Sequence, residues 1–240
     1  RYLGAMDRIV ATSPNYTATS EVLVNFAEKV KVIPIGLSES SYPHVGDNSD
    51  DLAAVLERYG TDFFLFVGKL RYYKGLHILI DAMEGAPYKV VIVGEGPLER
   101  EMRNRVKRLG LDNVIFAGHV SDREKMSIFK LCRGVVLPSY LRAEAFGVAL
   151  LEGAMNSRPL ISAEVGSGTS YVNVDGETGL VVEAGNKVAL RAAMDQLYHD
   201  EGKASAMGRR ARQRYESLFT GHLMGECYAN LYSDVLYGSL

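Results

Sequence analysis

The chain has 240 residues, of which 47% are hydrophobic and 23% charged, and its formal net charge is −2. This composition is typical of a globular protein with one large domain or two small ones. It excludes the broad basic surface of a nucleic-acid-binding protein, and no apolar run is long enough to span a membrane. Cys132 and Cys227 lie far apart without metal-like spacing, so we expect two buried free thiols in a reducing cytosol.

The N-terminal part of the sequence predicts a small βαβ unit, with strands at 10–13 and 30–35 and a helix at 20–28. Residues 38–50 are polar and rich in turn-forming residues, which indicates a linker, and a short helix is predicted at 51–59. The residues that follow Arg1 resemble the interior of a protein sequence. We therefore expect a fragment of a longer polypeptide.

From residue 63 onward, strands and helices alternate. Short continuous apolar runs predict strands, and apolar residues at helical spacing predict the helices between them. The predicted strands lie at 63–67, 89–93, 114–117, 135–137, 159–162 and 180–183. The predicted helices lie at 74–83, 98–109, 123–132, 146–156, 187–199, 203–217 and 222–237, and Asp122 is the expected N-cap of the third. This alternation predicts an α/β protein with a doubly wound parallel sheet, similar to a Rossmann fold.

Ligands of such folds bind beyond the carboxyl ends of the strands. Glu144 and Glu152 follow the strand at 135–137, with a predicted helix start between them. The free amides of a helix N-terminus suit an anion such as a diphosphate, and ionised carboxylates accept hydrogen bonds from sugar hydroxyls. Two glutamates on a helix are more often solvated, but Leu150 and Leu151 place Glu152 near a packed surface. The pattern indicates a nucleotide-sugar site.

Two lysines follow the strand at 63–67. Gly68 allows a ligand to approach the backbone closely, and Lys69 and Lys74 place two cations between this strand and the next helix. A cation at a helix N-terminus opposes the helix dipole unless an anion lies between them. A bound diphosphate would satisfy this condition, and solvated surface lysines are the alternative.

Other strand ends carry weaker signals. Gly118, His119 and Val120 leave backbone groups free that can contact a nucleobase edge. The glycines of segment 166–170 indicate an anion cradle, a substrate lid or a plain N-cap loop. Segment 94–99 does not fit the dinucleotide fingerprint, so we reject NAD binding. No hydrolase triad and no metal-ligand spacing is present in the sequence, and we predict neither a metal nor a cofactor.

Taken together, these segments resemble the C-terminal domain of the enzymes of glycosyltransferase family 4 (group 1). These enzymes are retaining sugar transferases of GT-B fold. The resemblance covers about residues 9–237, and its segments occur in the order known from the family. They are 66–75, 93–98, 114–118, 137–139, 144–152 and 175–182.

The resemblance implies a nucleoside-diphosphate sugar as the donor and a reaction that needs no metal. Lys69 and Lys74 would bind the diphosphate, Glu144 would hold hydroxyls of the transferred sugar, and these three would be the catalytic residues. Glu152 would bind the ribose hydroxyls. The other implied donor-binding residues are Gly68, the amides of Phe146, Gly147 and Val148, and the base-bordering Gly118, His119 and Val120. The family more often has Arg at position 69, and Ala145 replaces a usual glycine, which narrows the approach to the donor.

The same resemblance divides the chain into four parts. Residues 1–36 would be the remnant of an N-terminal acceptor domain, 37–62 an interdomain linker with a short helix, 63–219 the donor-binding domain, and 220–240 a helix that returns toward the N-terminal domain. Most of the acceptor domain would lie outside this chain. We therefore expect the chain to bind the donor nucleotide without transferring sugar.

Segment 166–173 resembles family members that build bacterial O-antigen or other surface polysaccharides, several of which use GDP-mannose. We expect retaining transfer of a hexose to a glycan or lipid-linked acceptor. The expected location is the cytoplasm, with peripheral membrane association of the longer protein. The alternatives are a nucleotide-sugar epimerase of GT-B fold and a non-catalytic nucleotide-sugar-binding domain.

Overall fold

The computed structural model describes residues 2–238 and contains a two-stranded and a six-stranded parallel sheet. The strands of the small sheet are β1 (Ile9–Ala11) and β2 (Val30–Val32). Those of the large sheet are β3 (Phe64–Val67), β4 (Val90–Val93), β5 (Val114–Gly118), β6 (Gly134–Leu137), β7 (Leu160–Glu164) and β8 (Gly179–Glu183). The order in the large sheet is β5-β4-β3-β6-β7-β8.

Helices connect the strands of the large sheet, and two of them precede it. The α-helices are α1 (Pro14–Thr19), α2 (Asp50–Tyr59), α3 (Leu76–Ala82), α4 (Glu99–Leu109), α5 (Asp122–Leu131), α6 (Val148–Met155), α7 (Thr169–Val172), α8 (Lys187–His199), α9 (Glu201–Leu218) and α10 (Gly221–Tyr237). Helix α3 packs against α4 and α8, whereas α2 packs against α5 and α6 against α9. Right-handed crossovers that lead outward in both directions from the sheet centre place helices on both faces. The predicted doubly wound α/β fold is confirmed.

The centre of the large sheet is completely buried. The side chains of β3 from Phe64 to Phe66, of β4 from Val90 to Ile92, and of β6 at Val135 and Val136 have no exposed area. Strands covered on both faces must be apolar at every position, which is why their sequences show continuous apolar runs without alternation.

The strand order reverses between β3 and β6. Strand β3 pairs with β4 on one side and with β6 on the other, with Leu65 opposite Val135. The loops after β3 and β6 therefore leave the sheet in opposite directions and open a crevice between their first residues. This crevice begins beside Val67 and Leu137, where the sequence predicts the two lysines and the glutamate pair.

Several predicted helix starts differ from the structure by one or two residues. Helix α3 begins at Leu76 because Gly75 has φ +70°, and Lys74 belongs to a preceding 3-10 helix, Tyr72–Lys74. Helix α6 begins at Val148 because Gly147 has φ +88°. The N-cap of α5 is Ser121 and not Asp122, since the Ser121 side chain accepts a hydrogen bond from the amide of Glu124.

The N-terminal helix prediction at 20–28 is wrong. An α-helix forms earlier, at Pro14–Thr19, where Ser13 caps the amide of Tyr16 and proline suits the first helical position. Leu23–Lys29 forms a 3-10 helix that is kinked at Phe26. The predicted strands at 10–13 and 30–35 are present in shorter form, as β1 and β2.

The segment after β2 contacts the start of the last helix. The Leu37 amide donates to the carbonyl of Phe219, and the Gly221 amide donates to the carbonyl of Leu37, both at 2.9 Å. Helix α10 buries only Leu231 among its described residues, so Cys227 on it is exposed, contrary to expectation. Within residues 2–238, no helix is long and apolar enough to cross a membrane.

The other cysteine fulfils the expectation of burial. Cys132 is the C-cap residue of α5, belongs to the hydrophobic core and has 1% of its surface exposed. Burial raises the pKa of its thiol to about 12, because the thiolate would lose its solvation there. The Cys132 thiol is therefore a protonated, apolar part of the core at neutral pH.

Candidate functional site

A cleft of about 400 Å³ opens at the reversal point of the large sheet. Loops after β3 and β6 and the start of α6 form its walls. The lining includes seven of the predicted donor-binding residues, namely Gly68, Lys74, Glu144, Phe146, Gly147, Val148 and Glu152. Lys74 and Glu144, which lie 70 residues apart in the sequence, thus meet in one cleft.

Glycines bring the loops that border the cleft into close contact. A side chain at Gly94 would lie 2.1 Å from the carbonyl oxygen of Gly68, and one at Gly75 would lie 2.0 Å from that of Pro138. The loop after β3 is therefore held between the loops after β4 and β6. This packing fixes the position of Lys74 relative to the segment that carries Glu144.

Glu144 is the central charged residue of the cleft. Its surface is 7% exposed, and its carboxylate oxygen Oε2 lies 2.5 Å from Lys74 Nζ and accepts a hydrogen bond from Ser139 Oγ at 2.9 Å. Its Oε1 has no hydrogen-bond partner among residues 2–238. The cation and the hydroxyl at Oε2 offset the cost of burying the carboxylate charge. Because both donors contact the same oxygen, Oε1 remains available to a ligand.

The backbone at Glu144 is also fixed. Ser167 Oγ donates to the Glu144 carbonyl at 2.6 Å, and the amide of Gly168 donates to the carbonyl of Ala145 at 2.9 Å. Segment 166–170 thus packs against the back of the Glu144 loop and does not line the cleft. The geometry favours a support for Glu144 over the anion cradle suggested by its glycines.

The two predicted phosphate-binding lysines differ in environment. The Lys74 side chain is 13% exposed and forms the ion pair with Glu144. Lys69 is exposed, does not line the cleft and forms no ion pair within the described part of the chain. Of the two lysines, only Lys74 is held by an ion pair among the described residues.

Glu152 is the second buried carboxylate at the cleft. It lies on α6, its surface is 7% exposed, and its Oε1 lies 3.0 Å from Lys125 Nζ of α5. The expectation that Glu152 lies at a packed surface with a partner is confirmed. Lys125 also lies 3.1 Å from Asp122 Oδ1 and 5.3 Å from the ring centroid of Tyr42.

The N-terminus of α6 lines the cleft between the two glutamates. Its N-cap is Gly147, which has no side-chain oxygen to accept hydrogen bonds from the first-turn amides. The first residues of α6, Val148 and Ala149, also line the cleft. Free amides and the positive end of the helix dipole make this position suitable for an anionic group.

The predicted base-bordering residues lie on the same edge of the sheet but outside this cleft. Gly118 ends β5, and its carbonyl accepts a hydrogen bond from the Gly94 amide at 2.8 Å. Two strand spacings, about 10 Å, separate β5 from β3. His119 is exposed and Val120 partly buried. The structure therefore brings seven of the eleven predicted site residues together in the cleft and leaves Lys69, Gly118, His119 and Val120 outside its lining.

Sequence reasoning missed the polar partners of both glutamates. Ser139 stands directly after a predicted strand and before Glu144, so its position at the strand end was a usable signal. Ser167, Lys125 and Tyr42 contact the glutamates only through tertiary packing. No local pattern distinguishes them from ordinary loop or helix residues.

A larger cavity of about 640 Å³ lies between segment 39–45 and the C-terminal ends of α5 and α6. Met155, Asn156 and Arg158, which precede the amino end of β7, contribute to its lining. It therefore opens at the edge of the sheet opposite to the one at which such folds bind ligands. No cluster of three His, Cys, Asp or Glu side chains that could hold a metal ion occurs anywhere in residues 2–238.

Comparisons with known proteins identify the family. The profile of the family described as "Glycosyl transferases group 1" matches residues 48–214, which include every predicted site residue. The chain belongs to this family. Membership confirms the resemblance drawn from the sequence segments and favours a transferase over the epimerase alternative.

Two curated relatives of this group 1 glycosyltransferase chain are close in sequence. The O-antigen chain mannosyltransferase C of Escherichia coli is 48% identical over 236 residues, which cover 98% of this chain and 63% of that protein. The D-rhamnosyltransferase WbpZ of Pseudomonas aeruginosa is 51% identical over 220 residues, which cover 92% of this chain and 57% of the relative. The chain thus spans about three fifths of the length of these curated relatives.

A solved structure supports the GT-B assignment of the group 1 glycosyltransferase chain. The sucrose-phosphate synthase of Thermosynechococcus elongatus superposes with a TM-score of 0.85 at 26% sequence identity. The superposition covers 97% of this chain and 59% of the synthase chain. Nearly all of this chain therefore has a structural counterpart in the synthase.

Proposed function

We propose that this chain is the donor-binding part of a retaining glycosyltransferase of bacterial surface-polysaccharide synthesis. It binds a nucleoside-diphosphate hexose, with GDP-mannose as the first candidate, for transfer to a glycan or lipid-linked acceptor. Residues 63–219 form the donor domain, 1–36 belong to the acceptor domain, 37–62 connect the two, and 220–240 return toward the acceptor domain. The cytoplasmic location and the peripheral membrane association of the longer protein remain predictions.

The observation that carries this proposal is the arrangement of charges at the sheet reversal. In chain order, the buried Glu144, which pairs with Lys74, precedes an uncapped helix N-terminus, and the buried Glu152 follows it in the same cleft. An anion held by the helix amides would have on each side a carboxylate that accepts hydrogen bonds from hydroxyl groups. A sugar–diphosphate–ribose ligand has this order of groups.

The proposed catalysis is electrostatic. Cleavage of the anomeric bond increases the negative charge on the leaving diphosphate, and Lys74, Lys69 and the α6 amides stabilise that charge. Donors arranged in advance for a developing charge are worth about 3 kcal/mol each. Glu144 uses its free Oε1 to hold a hydroxyl of the transferred sugar, while its Oε2 remains with Lys74 and Ser139. By analogy with the family, we propose that the anomeric configuration is retained because the acceptor attacks the sugar from the same face that the diphosphate leaves.

The relatives support the choice of sugar. One is named for mannose and the other for D-rhamnose, which is 6-deoxy-D-mannose. Both sugars have an axial hydroxyl at C2, so a site for either must accept the manno configuration. Ala145 lines the cleft beside Glu144, and its methyl group limits the space near the sugar.

Calorimetric titration tests the proposal. GDP-mannose, UDP-glucose, UDP-N-acetylglucosamine and NAD are titrated separately into the chain in the presence of a metal chelator. We expect selective binding of one sugar nucleotide and no binding of NAD. Preference for NAD, or binding only when a divalent cation is supplied, would contradict the proposed donor site.

The variant Glu144→Gln provides the matched control. It keeps the shape of the side chain but removes the charge that faces the sugar, so affinity for the sugar nucleotide falls about tenfold. Affinity for the corresponding nucleoside diphosphate changes less. A donor-consumption assay with lipid acceptor completes the test, since sustained transfer by this chain alone would show that the acceptor domain is not required.

A further inference from the structure

Lys125 of α5 is a largely buried lysine whose ammonium group is surrounded by acceptor groups. Its side chain is 18% exposed, and its ammonium group lies between Glu152 Oε1 at 3.0 Å, Asp122 Oδ1 at 3.1 Å and the ring of Tyr42 at 5.3 Å from the centroid. Burial alone would lower the pKa of Lys125, but the charges and hydrogen bonds of Glu152 and Asp122 together outweigh burial and raise it. The ammonium group therefore stays charged and enclosed by these acceptors.

The position of Lys125 in the fold is informative. Helix α5 begins at Asp122, immediately after the loop 118–121 that follows β5. Lys125 lies one helical turn, about 5 Å, beyond this start. It therefore links the loop proposed to border the base with the carboxylate proposed to hold the ribose. Base and ribose are neighbouring parts of a nucleoside, so the spacing fits one bound molecule.

Tyr42 covers Lys125 from the segment that connects the two parts of the protein. Burial, followed by the charge of Glu152, raises the pKa of the Tyr42 hydroxyl, so the phenol remains neutral. The face of its ring is turned to the ammonium group, an arrangement that attracts a cation. Tyr42 thus limits the positions that the Lys125 side chain can adopt.

The consequence concerns the free oxygen of Glu152. Lys125 donates to Oε1, whereas no described side chain makes a hydrogen bond of ordinary length to Oε2. The Tyr42 hydroxyl also interacts with the Glu152 carboxylate. Because rotation of the carboxylate would break the contact with Lys125, the free oxygen keeps one direction. We propose that Lys125, held by Tyr42, is the positioning residue that makes Glu152 selective for the ribose hydroxyls of the donor. This proposal rests on the donor-binding function proposed above.

A purely structural role for Lys125 makes a different prediction. If Lys125 only offsets the buried charge of Glu152, its removal would weaken the binding of all nucleotides to a similar extent. A positioning lysine affects specifically the part of the affinity that comes from the ribose hydroxyls. The ratio of affinities for a nucleotide with and without these hydroxyls therefore separates the two roles.

The experiment compares GDP and UDP with their 2′,3′-dideoxy analogues by calorimetry. In the unmodified chain, loss of the hydroxyls weakens binding of the preferred diphosphate about tenfold or more, since they donate to a charged acceptor. In Lys125→Met this ratio falls to about threefold or less because the Glu152 carboxylate is then free to rotate. Lys125→Arg restores most of the ratio, and Lys107→Met on the exposed face of α4 leaves it unchanged.

Tyr42→Leu tests the proposal independently if Lys125→Met does not fold. It removes the ring above the ammonium group and keeps both charges, and we expect the ratio to fall about threefold. An unchanged ratio in a folded Lys125→Met or in Tyr42→Leu would overturn the proposal, although donor binding itself would stand. Failure of the unmodified chain to bind either diphosphate would overturn the donor-binding function and this proposal with it.

Discussion

The two glutamates of segment 144–152 are equally buried but are held in different ways. Glu144 lies in a loop, and its partners Lys74 and Ser139 come from the loops that follow the two central strands. Glu152 lies within a helix and pairs with Lys125 of another helix, and Tyr42 of segment 37–62, the proposed connecting segment, lies against Lys125. We call these two sets of residues the sugar end and the ribose end of the cleft, after the groups that we propose they bind.

The difference shows how each end depends on the rest of the protein. The sugar end is built on the carboxyl ends of β3 and β6, whose side chains form the fully buried centre of the sheet. The ribose end depends on how α5, α6 and segment 37–62 pack together. Disturbance of the connecting segment should therefore affect the ribose end before the sugar end.

The largest expected effect comes from Lys74→Met at the sugar end. This change leaves the Glu144 carboxylate buried without its cation, and loss of one member of a buried ion pair costs about 3 kcal/mol. Lys69→Met is the matched control because Lys69 is exposed, and we expect it to change stability by about 0.5 kcal/mol or less. Both variants should weaken diphosphate binding if both lysines contact the ligand.

Denaturant-induced unfolding measures the stabilities in this comparison, and calorimetry measures the affinities. Equal stability of the two lysine variants would show that the Lys74–Glu144 pair contributes no more than a surface charge. Unchanged diphosphate affinity in Lys69→Met would remove Lys69 from the proposed site while leaving Lys74 in it.

A smaller effect is expected from Ser139→Ala. The hydroxyl of Ser139 donates to the charged Oε2 of Glu144, and loss of such a bond costs about 1.5 kcal/mol. The affinity for the sugar nucleotide should fall relative to the bare diphosphate because Glu144 loses its orientation. The control is Ser127→Ala, which removes an equally buried hydroxyl that donates to the carbonyl of Arg123 on α5.

The measurements for Ser139 are unfolding and paired titrations with sugar nucleotide and diphosphate. We expect Ser127→Ala to lower stability but to leave the ratio of the two affinities unchanged. The same ratio in both serine variants would mean that Ser139 supports the fold without orienting Glu144.

The sequence predicted the sugar end better than the ribose end for a physical reason. Strands buried on both faces have continuous apolar sequences, so their ends could be located, and with them Gly68, Lys74 and Glu144. Helix starts were less accurate because the positive φ angles of Gly75 and Gly147 arise from close loop packing. A glycine in the sequence permits such an angle but does not require it.

The partners at the ribose end could not be predicted in the same way. Lys125 is separated from Glu152 by 27 residues and is one of several charged residues at the start of α5. Tyr42 belongs to a segment whose polar composition indicated only a linker. Their contacts follow from how two helices and this segment pack, which hydrophobic periodicity does not specify.

The smallest expected effect concerns the anchor of the connecting segment. Glu39, just before Tyr42, accepts two hydrogen bonds from Arg212 of α9, at 3.0 and 2.7 Å. The hydrogen bond from Arg212 lowers the pKa of Glu39 below its ordinary value of 4.5. A lowered carboxyl pKa means that the pair stabilises the folded state above about pH 4.5, and that this contribution is lost as the pH falls through the folded-state pKa.

Thermal unfolding of Glu39→Gln at pH 7 and at pH 3 tests this contribution. The pair is half exposed, so screening by water limits its effect at pH 7 to about 0.5 kcal/mol. At pH 3 the difference from the unmodified chain should shrink, since protonation then removes the same charge from Glu39. Acidic residues elsewhere titrate equally in both proteins, so the change in the difference belongs to Glu39. If the difference in stability between the two proteins is the same at both pH values, Arg212 does not anchor the segment through the charge of Glu39. The link from the connecting segment to the ribose end would then depend on Tyr42 alone.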